Sequence, residues 1–126
     1  MILVGVEKGD TADEARWLAD KTAALRIFPR PGGDSDVMDC SVCDVGGEIL
    51  AVSQFTLTAS TRKGNRPSYI RAAGGEEAEP LYTHFCGLLE ERLGKPVGRG
   101  IFGADMQVSL VNDGPVTIII DSRLRE

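Results

Sequence analysis

Histidine and cysteine, which carry much of the nucleophilic and metal chemistry of proteins, are scarce in this sequence. It has one histidine, His84, and three cysteines. A serine-histidine-aspartate triad would have to use His84, and no Gly-x-Ser-x-Gly turn is present to hold the serine. The spacing of Cys40 and Cys43 suggests a metal or redox pair, but a zinc site needs about four ligands and no second pair exists. We therefore expect these residues to be structural and expect no bound metal.

Long apolar runs and an excess of positive charge are also absent. No apolar stretch approaches the roughly 18–20 residues that a membrane span requires, and no secretory leader is visible. Three cysteines do not make a disulfide framework, which favours a reducing, cytoplasmic setting. The net charge of −5 argues against a protein that coats nucleic acid along its whole surface. A chain of 126 residues predicts one domain, 1–126, with a charged, solvated tail at 121–126.

Positive charge is concentrated in one segment, residues 62–71. It holds Arg62, Lys63, Arg66 and Arg71 and no acidic residue, whereas ten basic residues face 19 acidic ones in the rest of the chain. A solvated loop and a phosphate-binding loop both fit this pattern. A basic loop on an acidic protein suits a partner that is held at one end, so these four residues are candidate phosphate contacts.

Hydrophobic patterning predicts two helices and about five strands. The strands are expected at Ile2–Val6, Val37–Val45, Ile49–Val52, Met106–Val111 and Val116–Ile120, the third central in the sheet and the last buried on both faces. Thr11 and Glu14 form a capping box that opens a helix to about Arg26, and a second helix is expected over Glu76–Leu93. Pro80 is tolerated only in the first turn of that helix. These elements predict an α+β domain with both helices on one face of the sheet.

Two segments carry polar groups and turn formers where a predicted strand ends or begins. They are Ser53-Gln54-Phe55-Thr56-Leu57 and Asn112-Asp113-Gly114-Pro115-Val116-Thr117. Polar groups at the end of a strand are unfavourable unless they are paired or used. In this order and about 60 residues apart, the two segments resemble the paired signatures of the D-aminoacyl-tRNA deacylase family. The resemblance covers nearly the whole chain, including Gly64-Asn65-Arg66-Pro67-Ser68 and Phe102-Gly103-Ala104-Asp105-Met106.

This resemblance implies an enzyme of translation quality control that hydrolyses the ester between a D-amino acid and the 3′ end of its tRNA. It also implies a homodimer with each active site at the subunit interface, a mixed, largely antiparallel, barrel-like sheet, and no metal or dissociable cofactor. A site that selects by excluding an L side chain has no clear means of rejecting glycine. Glycyl-tRNA mischarged on tRNA(Ala) is therefore an expected second substrate.

The first signature implies a catalytic edge, formed by Ser53, Gln54, Phe55 and Thr56. The backbone N–H groups, chiefly those of Phe55 and Thr56, would face the scissile carbonyl as fixed donors for developing negative charge. The second signature contributes Thr117, whose hydroxyl is a candidate nucleophile. Because no histidine or amine base is evident beside Thr117, we prefer the alternative in which the 2′-OH of the terminal ribose assists.

Two further groups of residues match positions that bind substrate in the family. A Gly-cisPro element reaches from one subunit into the partner's site, captures the substrate amino group and leaves no room for an L side chain. A second group forms the pocket for the terminal adenosine, where an aromatic face and a thioether suit a base. The first group is Gly114, Pro115 and Val116, and the second is Phe102, Gly103, Ala104 and Met106.

A function of a different class stays open from the sequence. Members of the family usually begin with a further strand and hairpin ahead of the segment matched here by Ile2–Val6. A shortened member could keep the fold and lose hydrolysis. The alternative to the enzyme is therefore a non-catalytic module that binds tRNA or a nucleotide.

Overall fold

Three short parallel strands form the sheet in this computed structural model, which describes residues 1–125. Strands β1 (Ile2–Val4), β2 (Leu50–Ser53) and β3 (Gly98–Arg99) lie in the order β1-β2-β3. Val4 pairs with Ser53, and Leu50 pairs with Gly98 on the other side of β2. The predicted central position of the strand near Ile49–Val52 is confirmed.

Two helices connect the successive strands and set their direction. Helix α1 (Ala12–Ala24) lies between β1 and β2, and helix α2 (Gly75–Leu93) lies between β2 and β3. Parallel neighbours need a crossover of a dozen or more residues, and each helix lies in such a crossover. The α+β class and the two helices are confirmed, but the expectation of a largely antiparallel, barrel-like sheet is wrong, because the strands run parallel.

Local capping rules place the helix ends. At the start of α1 the Thr11 N–H donates to Glu14 Oε2 over 2.7 Å, which confirms the predicted capping box. Helix α2 ends where Gly94 adopts a left-handed φ of 68° and donates its N–H to the Glu90 carbonyl. Pro80 lies in the second turn of α2, so its predicted restriction to the first turn is wrong. Water can reach the Glu76 carbonyl that Pro80 leaves without a donor, because Glu76 is exposed.

The core lies where the two helices meet β2. Helix α1 contributes the small side chains of Ala15, Ala19 and Ala23, spaced four residues apart. Helix α2 contributes Tyr82, whose buried hydroxyl donates to the Ala51 carbonyl of β2 over 2.8 Å. Burial raises the pKa of the Tyr82 phenol, which keeps this donor protonated. No helix within residues 1–125 has both the length and the apolar character needed to cross a bilayer.

The predicted strand Val37–Val45 is wrong because a turn interrupts it. Cys40 makes a single bridge to Phe28, and the chain then folds back over Ser41–Gly47. The Ser41 N–H donates to Asp44 Oδ2 over 2.8 Å, and the Asp44 N–H donates to Ser41 Oγ over 3.1 Å. These reciprocal bonds offer the backbone an alternative to a strand ladder.

The predicted strands Met106–Val111 and Val116–Ile120 also form no ladder within residues 1–125. Val111 is 90% exposed, and Ile119, in the strand expected to be buried on both faces, is 92% exposed. An extended segment becomes a strand only when a neighbour supplies backbone partners. Apolar patterning alone does not reveal whether such a neighbour is present.

Ion pairs connect the segment before the C-terminus to residues near the N-terminus. Arg123 pairs with Glu7 over 2.9 Å and with Asp10 over 2.8 Å. Arg123 nevertheless stays exposed, so the solvated tail at 121–126 stays a prediction, and Glu126 lies outside the described residues.

Tyr82→Phe tests the bond between α2 and β2. Loss of the donor to the buried Ala51 carbonyl should lower the free energy of unfolding by about 1 kcal/mol, seen as a lower urea midpoint at an unchanged slope. Tyr69→Phe is the matched control, because Tyr69 is exposed and its change should stay within about 0.5 kcal/mol. Equal shifts for the two variants would contradict this role of Tyr82.

Candidate functional site

The first polar motif begins on the sheet and ends in a 3-10 turn, Phe55–Thr58. Ser53 is the last residue of β2, and the Gln54 N–H continues the pairing to the Val4 carbonyl over 2.7 Å. The Leu57 N–H then donates to the Gln54 carbonyl over 3.2 Å. The predicted catalytic edge is therefore one continuous segment anchored to the central strand.

Two backbone donors lie at the start of this turn. The Phe55 and Thr56 N–H groups find no acceptor within residues 1–125, as expected for the first N–H groups of a helical turn. The turn itself is held by side chains: Gln54 donates to the Thr56 hydroxyl, and the Thr58 hydroxyl donates to the Phe55 carbonyl over 2.8 Å. This arrangement can place two fixed donors against an oxygen that becomes negative.

Residues outside the motif hold the turn in place. A Cβ at Gly5, directly after β1, would lie 3.1 Å from Leu57 Cβ, a tight contact that would push the turn away by a few tenths of an ångström. Arg71 donates to the Thr58 carbonyl over 3.2 Å and pairs with Glu7 over 3.2 Å. Sequence reasoning did not assign Gly5 or Glu7 to the site. A glycine inside the strand pattern Ile2–Val6 was the available signal, since it often marks a close backbone approach.

The second motif forms an exposed loop ordered by one side chain. Asn112 Oδ1 accepts from the Val116 N–H over 3.0 Å, and its Nδ2 donates to Thr117 Oγ1 over 3.2 Å. The Gly114–Pro115 peptide bond is cis, in agreement with the family resemblance, and Gly114 has a φ of 137°. Asn112 was missing from the predicted site residues, although asparagine ahead of an Asp-Gly-Pro turn was a usable signal.

The residues expected to bind an adenosine flank the sheet and α2. The Phe102 ring lies 6.0 Å from the Tyr82 ring, and the Met106 sulfur packs onto Gly100, where an added Cβ would lie only 2.5 Å from it. Phe102 and Met106 are half-buried, whereas Gly103 and Ala104 are exposed. Each ring or thioether therefore keeps part of its surface available.

The basic segment forms a hairpin loop. Ser60 and Ser68 exchange backbone hydrogen bonds of 2.8 and 2.9 Å, and the intervening residues 61–67 are all exposed. Within residues 1–125, no carboxylate lies within ion-pair distance of Arg62, Lys63 or Arg66. Three of the four predicted phosphate contacts are thus unpaired, while Arg71 is engaged by Glu7.

The two motifs are not joined within one chain. In the described part of the sequence, no hydrogen bond or ion pair links segment 53–57 to segment 112–117. His84 is exposed and lines a shallow cavity with Asp10 and Glu77 that contains none of the predicted site residues. Hydrogen bonds and ion pairs of the described residues therefore do not connect the two candidate segments.

Known proteins match this chain over most of its length. A family model described as D-Tyr-tRNA(Tyr) deacylase matches residues 1–121. A D-aminoacyl-tRNA deacylase from Flavobacterium johnsoniae is 56% identical over 126 residues, which is all of this chain and 82% of that protein. The Akkermansia muciniphila protein of the same name is 59% identical with the same coverage.

Two solved structures are similar to this chain in fold. A structure described as c-Myc DNA Unwinding Element Binding Protein superposes with a TM-score of 0.82 at 41% identity, covering 92% of this chain and 76% of that chain. A probable eukaryotic D-amino acid tRNA deacylase superposes with a TM-score of 0.63 at 18% identity, covering 73% of this chain and 53% of that chain. The second likeness shows the fold alone.

Asn112→Ala tests whether this side chain orders the second motif. Hydrogen exchange at the Val116 amide should speed up, because its acceptor is removed. Asn112→Asp keeps an oxygen for Val116 but loses the donor to Thr117, so it should retain most of the protection. Unchanged exchange in Asn112→Ala would show that the loop is held by other contacts.

Proposed function

The chain belongs to the D-Tyr-tRNA(Tyr) deacylase family, and we propose on that basis that it hydrolyses D-aminoacyl-tRNA to free D-amino acid and tRNA. The observation that carries this function is the 53–59% identity, across the whole chain, to proteins named D-aminoacyl-tRNA deacylase. These names do not favour the alternative of a non-catalytic binding module. Because its substrate belongs to translation, we place the protein in the cytoplasm.

The proposed chemistry uses the start of the 3-10 turn. Water adds to the ester carbonyl, the carbonyl oxygen becomes negative, and the bond to the ribose oxygen then breaks as that oxygen takes up a proton. The Phe55 and Thr56 N–H groups would donate to the negative oxygen, and their lack of another acceptor within residues 1–125 supports this role. Ser53 and Gln54 fix the segment to β1 and β2.

Thr117 is better explained as part of the loop than as a nucleophile. Its hydroxyl oxygen accepts from Asn112, and no histidine or carboxylate in residues 1–125 forms a hydrogen bond with it. A threonine nucleophile needs an adjacent base to remove its proton. The 2′-OH of the substrate's terminal ribose is positioned beside the reacting ester by the substrate itself, so it can assist without a protein base.

We further propose that a second copy completes the site. Gly114 and Pro115 are exposed and Val116 is half-buried, while the neighbouring apolar residues Val111 and Ile119 are almost fully exposed. Exposed apolar segments of this kind suit a subunit interface. In a homodimer, the Gly114–Pro115 loop of one protomer would reach the partner's 3-10 turn, bind the substrate amino group and exclude an L side chain. Glycine would not be excluded.

The remaining contacts hold the tRNA end. Phe102 and Met106 would contact the terminal adenine, and the small exposed residues Gly103 and Ala104 would let the ribose approach. Three cations of the hairpin, Arg62, Lys63 and Arg66, are available for phosphates. We assign Arg71 instead to holding the 3-10 turn, because Glu7 and the Thr58 carbonyl already engage it.

The activity is tested with D-tyrosyl-tRNA and L-tyrosyl-tRNA as a matched pair of substrates. The purified chain should release free tyrosine from the D ester well above the protein-free rate and should leave the L ester at that rate. Glycyl-tRNA(Ala) should also be hydrolysed. Absence of release from the D ester by the folded protein would contradict hydrolysis and would favour a binding module.

Phe55→Pro tests the backbone donor specifically. Proline removes the N–H but suits the first position of a helical turn, and Gln54, with a φ of −147° and a ψ of 84°, lies outside the α region that proline disfavours in the preceding residue. Loss of one such donor should lower kcat by roughly 10²–10³-fold. Phe55→Ala removes the ring and keeps the N–H, so its kcat at saturating substrate should fall far less. Equal losses in the two variants would remove the N–H group from the mechanism.

A further inference from the structure

Two aromatic rings lie at the surface, whereas the other aromatic rings are buried or half-buried. The chain has seven aromatic residues, and within residues 1–125 only Phe55 and Tyr69 are exposed, at 57% and 37%. Their ring centroids lie 5.0 Å apart at an interplanar angle of 73°, an edge-to-face contact. The two rings form one surface, which we call the aromatic pair, and the core does not explain its position.

The aromatic pair lies at the base of the basic hairpin. Tyr69 directly follows Ser68, which pairs with Ser60 to close the loop 61–67. The loop carries Arg62, Lys63 and Arg66, for which no carboxylate partner exists within residues 1–125. Exposed aromatic rings beside unpaired cations are the combination that binds single-stranded nucleic acid, with bases on the rings and phosphates on the cations.

We propose that the aromatic pair is a stacking surface for an unpaired base of the tRNA 3′ end, next to the terminal adenosine. This inference rests on the proposed function, because that function brings the 3′ end to the 3-10 turn from which the Phe55 ring extends. A duplex does not offer the face of a base, so the surface selects the single-stranded end of the acceptor. The unpaired cations beside this surface attract the phosphates of RNA, whereas two copies of this acidic chain repel each other through their net charge. We therefore expect RNA, and not a second copy, as the occupant of this surface.

Tyr69 is the residue with which to test the proposal, because it lies outside the catalytic edge. Tyr69→Ser removes the ring, and Tyr69→Phe keeps it as the matched control. On D-tyrosyl-tRNA, Tyr69→Ser should lower kcat/KM by about tenfold or more, within the range that stacking of one base contributes. On the D-tyrosyl ester of adenosine alone, which has no preceding nucleotide, Tyr69→Ser and the original protein should be equal. Equal effects on both substrates, or no effect on either, would overturn the proposal.

Direct binding separates this proposal from the proposed function. A fluorescent RNA that ends in the tRNA 3′ sequence should bind Tyr69→Ser more weakly than Tyr69→Phe, whether or not the ester is hydrolysed. The salt dependence of binding should be unchanged in Tyr69→Ser and reduced in Arg62→Gln, because Arg62, unlike Tyr69, is a cation whose contact with a phosphate releases counterions from the RNA. If Tyr69→Ser instead shifts the monomer–dimer equilibrium in sedimentation and leaves RNA binding unchanged, the surface is an interface between copies and the proposal is wrong.

Discussion

The burial of β2 between two neighbouring strands and a helix determines where the rest of the site can lie. Ala51 is fully buried, and its carbonyl accepts the Tyr82 hydroxyl from α2. Because Ser53 pairs with Val4, the chain leaves the sheet at a fixed point and in a fixed direction. The close approach of Gly5 and the Arg71 bond to Thr58 then hold the 3-10 turn. Backbone donors on such an anchored segment need little reorganisation during a reaction.

The second part of the proposed site, the 112–117 loop, is not held by the core in the way that the 3-10 turn is. The 112–117 loop is exposed, and its order comes from Asn112 rather than from the core. Val111 and Ile119, on either side of it, expose apolar surface that a single chain does not cover. A two-fold pairing of copies would cover such surface and would bring two loops to two turns in equivalent ways. We propose that the anchored turn supplies the charge stabilisation and that the loop supplies the selection.

The sequence predicted the features that obey local rules. The capping box at Thr11, the end of the second helix at Leu93 and the central strand near Ile49–Val52 are indicated by side chains within a few residues, and the structure contains all three. Strand direction and the strands Met106–Val111 and Val116–Ile120 were predicted wrongly, because pairing depends on neighbours distant in the sequence. The two motifs could be found from their order, but Gly5, Glu7 and Asn112 acquire their roles only through contacts made in the fold.

A complementation experiment tests most directly whether one protomer's turn works with the other's loop. Phe55→Pro chains, with a normal loop, are mixed with Asn112→Ala chains, with a normal turn, and subunits are allowed to exchange. If sites form across a two-fold interface, half of the dimers carry one intact site, and hydrolysis of D-tyrosyl-tRNA should rise to about a quarter of the original activity. Activity that stays at the average of the two separate variants would contradict a shared site and would place both halves of the chemistry within one chain.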